Sequence, residues 1–256
     1  MNFYIIIPAR IDSTRLPGKV LKKIGKFTML EHCFFRAEKV INKKNIFVAT
    51  CDKKIKDFCN NNEINFITTS INHKRALTRT AEAVEKIKEI KNKDIVIMYQ
   101  ADEPFLNPDN IRRVINYFKT NKKAEILNLL YETDNKKIIE SPDNVKAIIN
   151  YRKEIIYFSR FPIPYDVNKI RKKNNFLIQT GLIAIKKSQI KIFKQKKSTF
   201  LETAESVDMN RLVDKSVKIN SIITKKFSFG IDTIQDLILA KKIMKQDKIL
   251  KSYSLK

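Results

Sequence analysis

The chain has 256 residues, 43% of them hydrophobic, and carries 52 Lys+Arg against 27 Asp+Glu for a formal net charge of +25. That length supports one large α/β domain, or one domain with a small lobe, and no apolar run approaches the roughly 20 residues of a membrane helix. The lysines are scattered through every segment, with no basic tail or aromatic-interleaved basic patch, so the charge alone does not argue for nucleic acid as a partner.

The apolar run Phe3–Pro8 predicts a buried first strand; with no basic n-region or small-residue cleavage site it does not read as a signal peptide. Thr28-x-x-Glu31 is a capping box, and Leu30, Cys33, Phe34, Ala37, Val40 and Ile41 follow at helical spacing. Asn45–Thr50 predicts a second strand, with Asp52 able to cap the next helix, and Ile64–Thr68 a third strand. Thr78–Ile90 reads as a helix and Asp94–Tyr99 as a strand buried on both faces. Asn107-Pro108 supplies an N-cap with proline at the first helical position. This alternation predicts a mostly parallel sheet with helices on both faces.

The second half is less regular. Val145–Ile149 and Glu154–Phe158 predict paired strands turning at Asn150–Lys153, and Pro162-Ile163-Pro164 breaks the pattern. Arg171–Asn175 reads as a polar, flexible loop and Phe176–Ile185 as a strand. Leu201–Val213 predicts a helix, Val217–Ile223 a strand and Thr233–Met244 a last helix, leaving the last ten residues as a frayed tail. Cys33, Cys51 and Cys59 are odd in number and lack metal-ligand spacing, which fits a reduced cytoplasmic protein.

With only four glycines, the dinucleotide G-x-G-x-x-G and the P-loop signature are both absent, so any phosphate site is built otherwise. The first strand runs into Pro8-Ala9-Arg10-Ile11-Asp12-Ser13-Thr14-Arg15-Leu16-Pro17-Gly18-Lys19. Three cations, Arg10, Arg15 and Lys19, follow the carboxyl end of a strand, where open α/β sheets bind ligands and guanidinium groups can grip phosphate; an exposed basic loop is the plain alternative. Gln100-Ala101-Asp102-Glu103-Pro104 ends an apolar strand, and an acid there facing a cationic loop suits Mg²⁺; otherwise it is a turn with Glu103 as a surface acid. Gly230-Ile231-Asp232-Thr233 precedes the last helix and by itself reads as an ordinary cap. Tyr157-Phe158-Ser159-Arg160 ends a strand with a cation that either pairs with a substrate carboxylate or is structural.

These motifs resemble the Kdo (3-deoxy-manno-octulosonate) cytidylyltransferases over roughly residues 2–245. The resemblance implies a Rossmann-like α/β nucleotidyltransferase fold over residues 1–246, with a mixed, mostly parallel sheet and a small β-rich arm at about 145–200, then a tail at 247–256. It implies transfer of CMP from CTP to the anomeric hydroxyl of Kdo or a close relative, for lipopolysaccharide biosynthesis, with Mg²⁺ as cofactor. In the family Pro8, Ala9, Arg10, Arg15, Lys19 and Gln100 match nucleotide-binding positions, and Asp102 and Asp232 match metal ligands. Arg10, Arg15, Lys19, Asp102 and Asp232 then carry catalysis by in-line attack on the α-phosphate, with metal coordination lowering the pKa of the attacking hydroxyl and no dedicated base.

Gln100, Arg160, Gln179, Asp208 and Arg211 match sugar-pocket positions, and Asn144-Val145-Lys146 also fits the family. The implied partners are CTP, a sugar acid and a second copy in a homodimer, with no nucleic acid and no membrane.

Some positions depart from the family. Its His-x-Ser-Gly-Thr-Glu-Arg base loop reads His73-Lys74-Arg75-Ala76-Leu77-Thr78-Arg79 here, and Ala101 replaces a glycine. Gln179, Ile183 and Met209 stand where relatives carry histidine, tyrosine and glutamine. These changes predict Kdo to be a poor substrate beside another 2-keto sugar acid (amino-Kdo or sialic-acid-like), and leave open another base or a non-catalytic nucleotide-binding paralogue.

Overall fold

The structure is a computed structural model, described here for residues 1–168, 175–194, 197–226 and 228–253. The expected loop at 171–175 therefore lies, except for Asn175, outside the described residues.

Strand β1 (Phe3–Pro8) alternates its side chains between two cores. Ile5 and Ile7 face one and Tyr4 and Ile6 the other, as the two-residue period of a strand requires. A short hairpin, β2 (Lys23–Ile24) and β3 (Phe27–Thr28), leads into helix α1 (Met29–Glu38), where both halves of the Thr28/Glu31 capping box form. Then come β4 (Ile46–Thr50), α2 (Lys53–Asn61), β5 (Phe66–Thr68), α3 (Ala76–Lys86), β6 (Ile95–Tyr99) and α4 (Pro108–Thr120). Helices α1, α2 and α4 send Leu30, Ile55 and Val114 to the first core, while α3 sends Leu77, Ala81 and Val84 to the second.

The chain continues with β7 (Ile126–Thr133), α5 (Lys136–Glu140), β8 (Lys146–Ile149), β9 (Ile155–Ser159), β10 (Phe176–Lys186) and α6 (Lys187–Ile190). Helices α7 (Phe200–Glu205) and α8 (Asn210–Asp214), strand β11 (Asn220–Thr224) and helix α9 (Ile234–Met244) complete it. Among the described residues the main sheet runs β11-β7-β10-β6-β1-β4-β5, with the β8–β9 hairpin joined to β10 at Lys146. β1 pairs in parallel with β4 and β6, and β11 with β7, whereas β10 is antiparallel to both neighbours. The mixed, mostly parallel sheet of the sequence reading is therefore the fold observed.

Several boundaries change. Helix α3 starts at Ala76 and stops at Lys86. The predicted helix 201–213 is two helices, because Ser206 takes a left-handed conformation (φ 54°) that ends the first. Strand β7, whose run from Ile126 to Leu130 is apolar except for Asn128, is absent from the sequence reading although it lies inside the sheet.

Asp52 does not cap α2; its Oδ2 accepts instead from the Ile11 amide at 2.9 Å. Nor does the C-terminus fray through 253: Asp247 pairs with the buried Arg36, and Tyr253 is buried against α1, its hydroxyl 2.8 Å from His32 Nδ1. Among the described residues no helix is long and apolar enough to cross a membrane.

Candidate functional site

The loop after β1 is folded by its own backbone. The Gly18 amide donates to Ile11 O at 3.0 Å, and Gly18 itself sits at φ 67°, a left-handed position that favours glycine. Leu16 is buried beneath the loop against Ile24, Phe105 and Ile231. Anchored this way, the loop lines a cavity of about 310 Å³ with Pro8, Ala9, Arg10, Arg15 and Lys19. Gln100, Asp102, Asp232 and the 73–76 turn complete its wall.

Lys19 joins the two candidate metal ligands. Its Nζ donates to Asp102 Oδ2 at 2.6 Å and to Asp232 Oδ1 at 2.7 Å. Burial would lower the Lys19 pKa, but the two carboxylates outweigh it and hold it above the ordinary lysine value. Arg15 reaches Asp232 Oδ2 at 3.0 Å and Asp143 Oδ1 at 2.7 Å. Arg10 is exposed and carries no partner among the described residues.

The donor set fits a divalent cation. Asp102 Oδ1 is buried with no hydrogen-bond partner, which is costly unless a ligand satisfies it. Two carboxylates from the protein, completed by substrate phosphates, are a common Mg²⁺ environment. Among the described residues no cluster of three or more His, Cys, Asp or Glu could hold a metal without substrate.

Ala101 in place of glycine has no conformational cost, because the residue does not adopt positive φ. Glu103, weighed as a surface acid, is buried instead. Its Oε1 accepts from the Gly181 amide at 2.5 Å, at an irregularity in β10 between Gln179 and Ile183. Burial, with Asp102 alongside, pushes the Glu103 carboxyl up to about 7. The only sequence signal for this role is that Glu103 follows a strand buried on both faces.

The first cavity opens into a second of about 740 Å³, bordered by Gln100, Glu103, Asp143, Arg160, Gln179 and Asp208. Arg160 donates to the carbonyls of Glu205 and Pro142, each at 2.7 Å, and of Ser206 at 3.3 Å. Its guanidinium thus ties the loop before β8 to the turn after α7. Gln179 Nε2 donates to Asn128 Oδ1 at 2.9 Å. Asp208 Oδ2 accepts from the Leu77 amide at 3.0 Å, and burial pushes its carboxyl up.

Arg211, expected at the sugar, lies elsewhere: it is buried and grips Glu202 with Nε at 2.7 Å and a terminal nitrogen at 2.9 Å. A buried acid on the neighbouring helix needed a cation, and Arg211 supplies it. Lys146, also buried, donates to the carbonyls of Ser141 and Asn144 and so shapes the turn that carries Asp143.

The 73–79 segment is held by its own Arg79 and by Glu82, which the sequence reading did not single out. Buried Arg79 donates to Thr69 Oγ1 at 2.6 Å and His73 O at 3.2 Å. Glu82 accepts from the Ser70 amide at 2.9 Å and pairs with His73 Nε2, which leaves that ring engaged in structure.

Comparison with known proteins matches residues 4–219 to the family model described as "Cytidylyltransferase". The 3-deoxy-manno-octulosonate cytidylyltransferase of Fusobacterium nucleatum is 36% identical over 97% of this chain and 99% of its own length. The enzyme of the same name from Thermodesulfovibrio yellowstonii is 33% identical over 93% of this chain and 96% of its own. Among solved structures, a CMP:2-keto-3-deoxy-manno-octonic acid synthetase complexed with CTP superposes with a TM-score of 0.86 at 28% identity, covering 96% of this chain and 99% of that one. A glucose-1-phosphate thymidylyltransferase from Bacillus anthracis, described there as putative, shares the fold at a TM-score of 0.68 and 15% identity, over 96% of each chain.

Proposed function

The chain belongs to the cytidylyltransferase family, and from that premise we propose that it transfers CMP from CTP to the anomeric hydroxyl of Kdo, releasing pyrophosphate. The observation that carries this reading is the bridge from Lys19 to Asp102 and Asp232, where a cation-lined cavity meets a larger polar one.

The smaller cavity takes the nucleotide. Arg10 and Arg15 face it as guanidinium donors for phosphate oxygens, and Lys19 adds a point charge toward the leaving pyrophosphate. Asp102 and Asp232 would hold Mg²⁺, which when bound supplies positive charge against the charge that develops on the phosphates. The hydroxyl oxygen of the sugar forms the new bond to the α-phosphorus as the bond to the β-phosphate oxygen breaks. The larger cavity orients the sugar so that this attack is in line.

The expectation that Kdo is a poor substrate is not favoured. Relatives that match the chain nearly end to end bear the name of the Kdo enzyme. Two of the altered positions, Ile183 and Met209, border the larger cavity but are buried in the second hydrophobic core, so their apolar character also serves packing. The names of those relatives also support cytosine as the base, and the non-catalytic alternative loses ground because Arg10, Arg15, Lys19, Asp102 and Asp232 line one cavity.

We read the working form as a cytoplasmic homodimer that supplies lipopolysaccharide synthesis. Phe161, Tyr165 and Val167, after β9, are 72%, 84% and 74% exposed, three apolar side chains that would gain from burial against a partner. Light scattering at the mass of a single chain would remove the dimer. Pyrophosphate release, measured across the four nucleoside triphosphates with and without Kdo and Mg²⁺, tests the reaction. Release only with CTP, Kdo and Mg²⁺ together is expected; none with that combination would overturn the reading.

A further inference from the structure

The reaction proposed above fixes where the acceptor's own charge must lie. In the ring form of a 2-keto sugar acid, the anomeric carbon carries both the attacking hydroxyl and the carboxylate. The carboxylate therefore travels with the nucleophilic oxygen to the α-phosphate, and a group that binds it must border both cavities. Among the described residues six do so: Lys74, Arg75, Ala76, Gln100, Asp102 and Asp232. Only Lys74 and Arg75 are cations.

The other cations around the larger cavity are poorly suited. Arg160 directs its guanidinium at three backbone carbonyls, and Lys137 stands exposed on α5. Lys74 is exposed and offers a point charge, whereas a guanidinium presents the planar fork that matches a carboxylate.

Arg75 is half-buried, with 24% of its side chain exposed. It is aimed by weak bonds: one terminal nitrogen lies 3.3 Å from both Ser206 Oγ and Asp208 Oδ1, and the other 3.3 Å from Glu202 O. Its Nε is 3.5 Å from Glu202 Oε1. Charge-assisted bonds are typically about 2.7–2.9 Å, so each contact orients the group without saturating it. The two acids have firmer partners, Glu202 in Arg211 and Asp208 in the Leu77 amide.

We propose that Arg75 binds the carboxylate of the sugar acid at the junction of the two cavities, with Asp208 as the residue that positions it. Arg75 then selects acids over neutral sugars. The inference rests on the sugar-acid reading of the larger cavity.

The test compares Kdo with its neutral C1-amide in the pyrophosphate-release assay, for the wild type, Arg75→Gln and Arg75→Lys. Loss of one charge-assisted pair should raise the KM for Kdo of Arg75→Gln by roughly tenfold or more, while the KM for CTP, whose cavity Arg75 also borders, rises by a clearly smaller factor. The wild type should prefer acid over amide by a similar factor, and Arg75→Gln should lose that preference. Arg75→Lys, which keeps the charge without the fork, should fall between them.

An Arg75→Gln enzyme that separates acid from amide as well as the wild type overturns the proposal, as does a larger effect from Lys74→Gln. If the wild type turns over neither compound, the reaction reading itself fails and this inference goes with it. If the wild type is active but the Arg75 variants discriminate normally, the inference alone fails.

Discussion

The amide of Ile231 donates to the carbonyl oxygen of Asp102 at 2.9 Å, so the segment before α9 is stitched to the turn after β6. That bond sets Asp232 beside Asp102, and Lys19 Nζ bridges their carboxylates. The Asp102 Oδ1 left without a protein partner points to a cation that completes the set.

Asp102→Asn and Asp232→Asn should each abolish Mg²⁺-dependent turnover while the fold survives, since side-chain volume is kept. A loss of well over tenfold, or more than about 1.4 kcal/mol of barrier, is expected in pyrophosphate release. Retention of more than about a tenth of the wild-type rate would remove the metal assignment.

Arg15→Ala should weaken CTP more than CMP, because the cationic loop is placed to grip phosphates that CMP lacks. The loss for CTP should be about 1.5–3 kcal/mol at low salt, and less at high salt because nearly half of the side chain is exposed. Calorimetry that finds equal losses for the two nucleotides would place Arg15 elsewhere.

Gly181→Ala should distort the site from within the sheet. A Cβ there would lie 2.7 Å from Glu103 Oε1 and 2.8 Å from Gln100 Cβ. Overpacking of this kind costs about 1–3 kcal/mol, read as a lower Tm, and kcat should fall with it because Gln100 borders both cavities. An unchanged Tm would show that the strand yields at no cost.

Glu82 gives the segment around His73 a pH dependence. Burial would raise its pKa, but Lys86, the Ser70 amide and His73 outweigh it and hold the carboxyl at about 2, against an ordinary 4.5. A folded value below the unfolded one means stability that is fully present above 4.5 and lost as pH falls toward 2. The Tm advantage of the wild type over Glu82→Gln should therefore be largest at neutral pH and shrink between pH 5 and pH 3. A constant difference across that range would deny the charge any role.

Asp247→Ala should destabilise a segment that the sequence suggested was frayed. It leaves the buried guanidinium of Arg36 without its carboxylate partner, a loss of about 3–5 kcal/mol in comparable sites. Deletion of residues 247–256 should lower the Tm at least as much, since it also removes buried Tyr253. A truncated chain that melts with the full one would restore the frayed-tail reading.

The strands β1, β4 and β6, the capped helix α1 and the cationic loop were legible in the sequence because each is written locally. Apolar periodicity, a capping box and a run of cations after a strand need no distant partner. The pairing of Asp102 with Asp232 was legible only through family resemblance, since nothing local in Gly230–Thr233 separates a metal ligand from a helix cap.

What the tertiary structure alone decided is which charged groups face each other once solvent is removed. Glu103 looked like a surface acid until Gly181 was brought against it, and Arg211 like a sugar ligand until Glu202 was buried beside it. Asp52 left its own helix for the Ile11 amide, and Asp247 found Arg36 across the chain. A charge or buried polar group is stable away from water only with a partner, and that partner is chosen by three-dimensional proximity, which a linear pattern does not record.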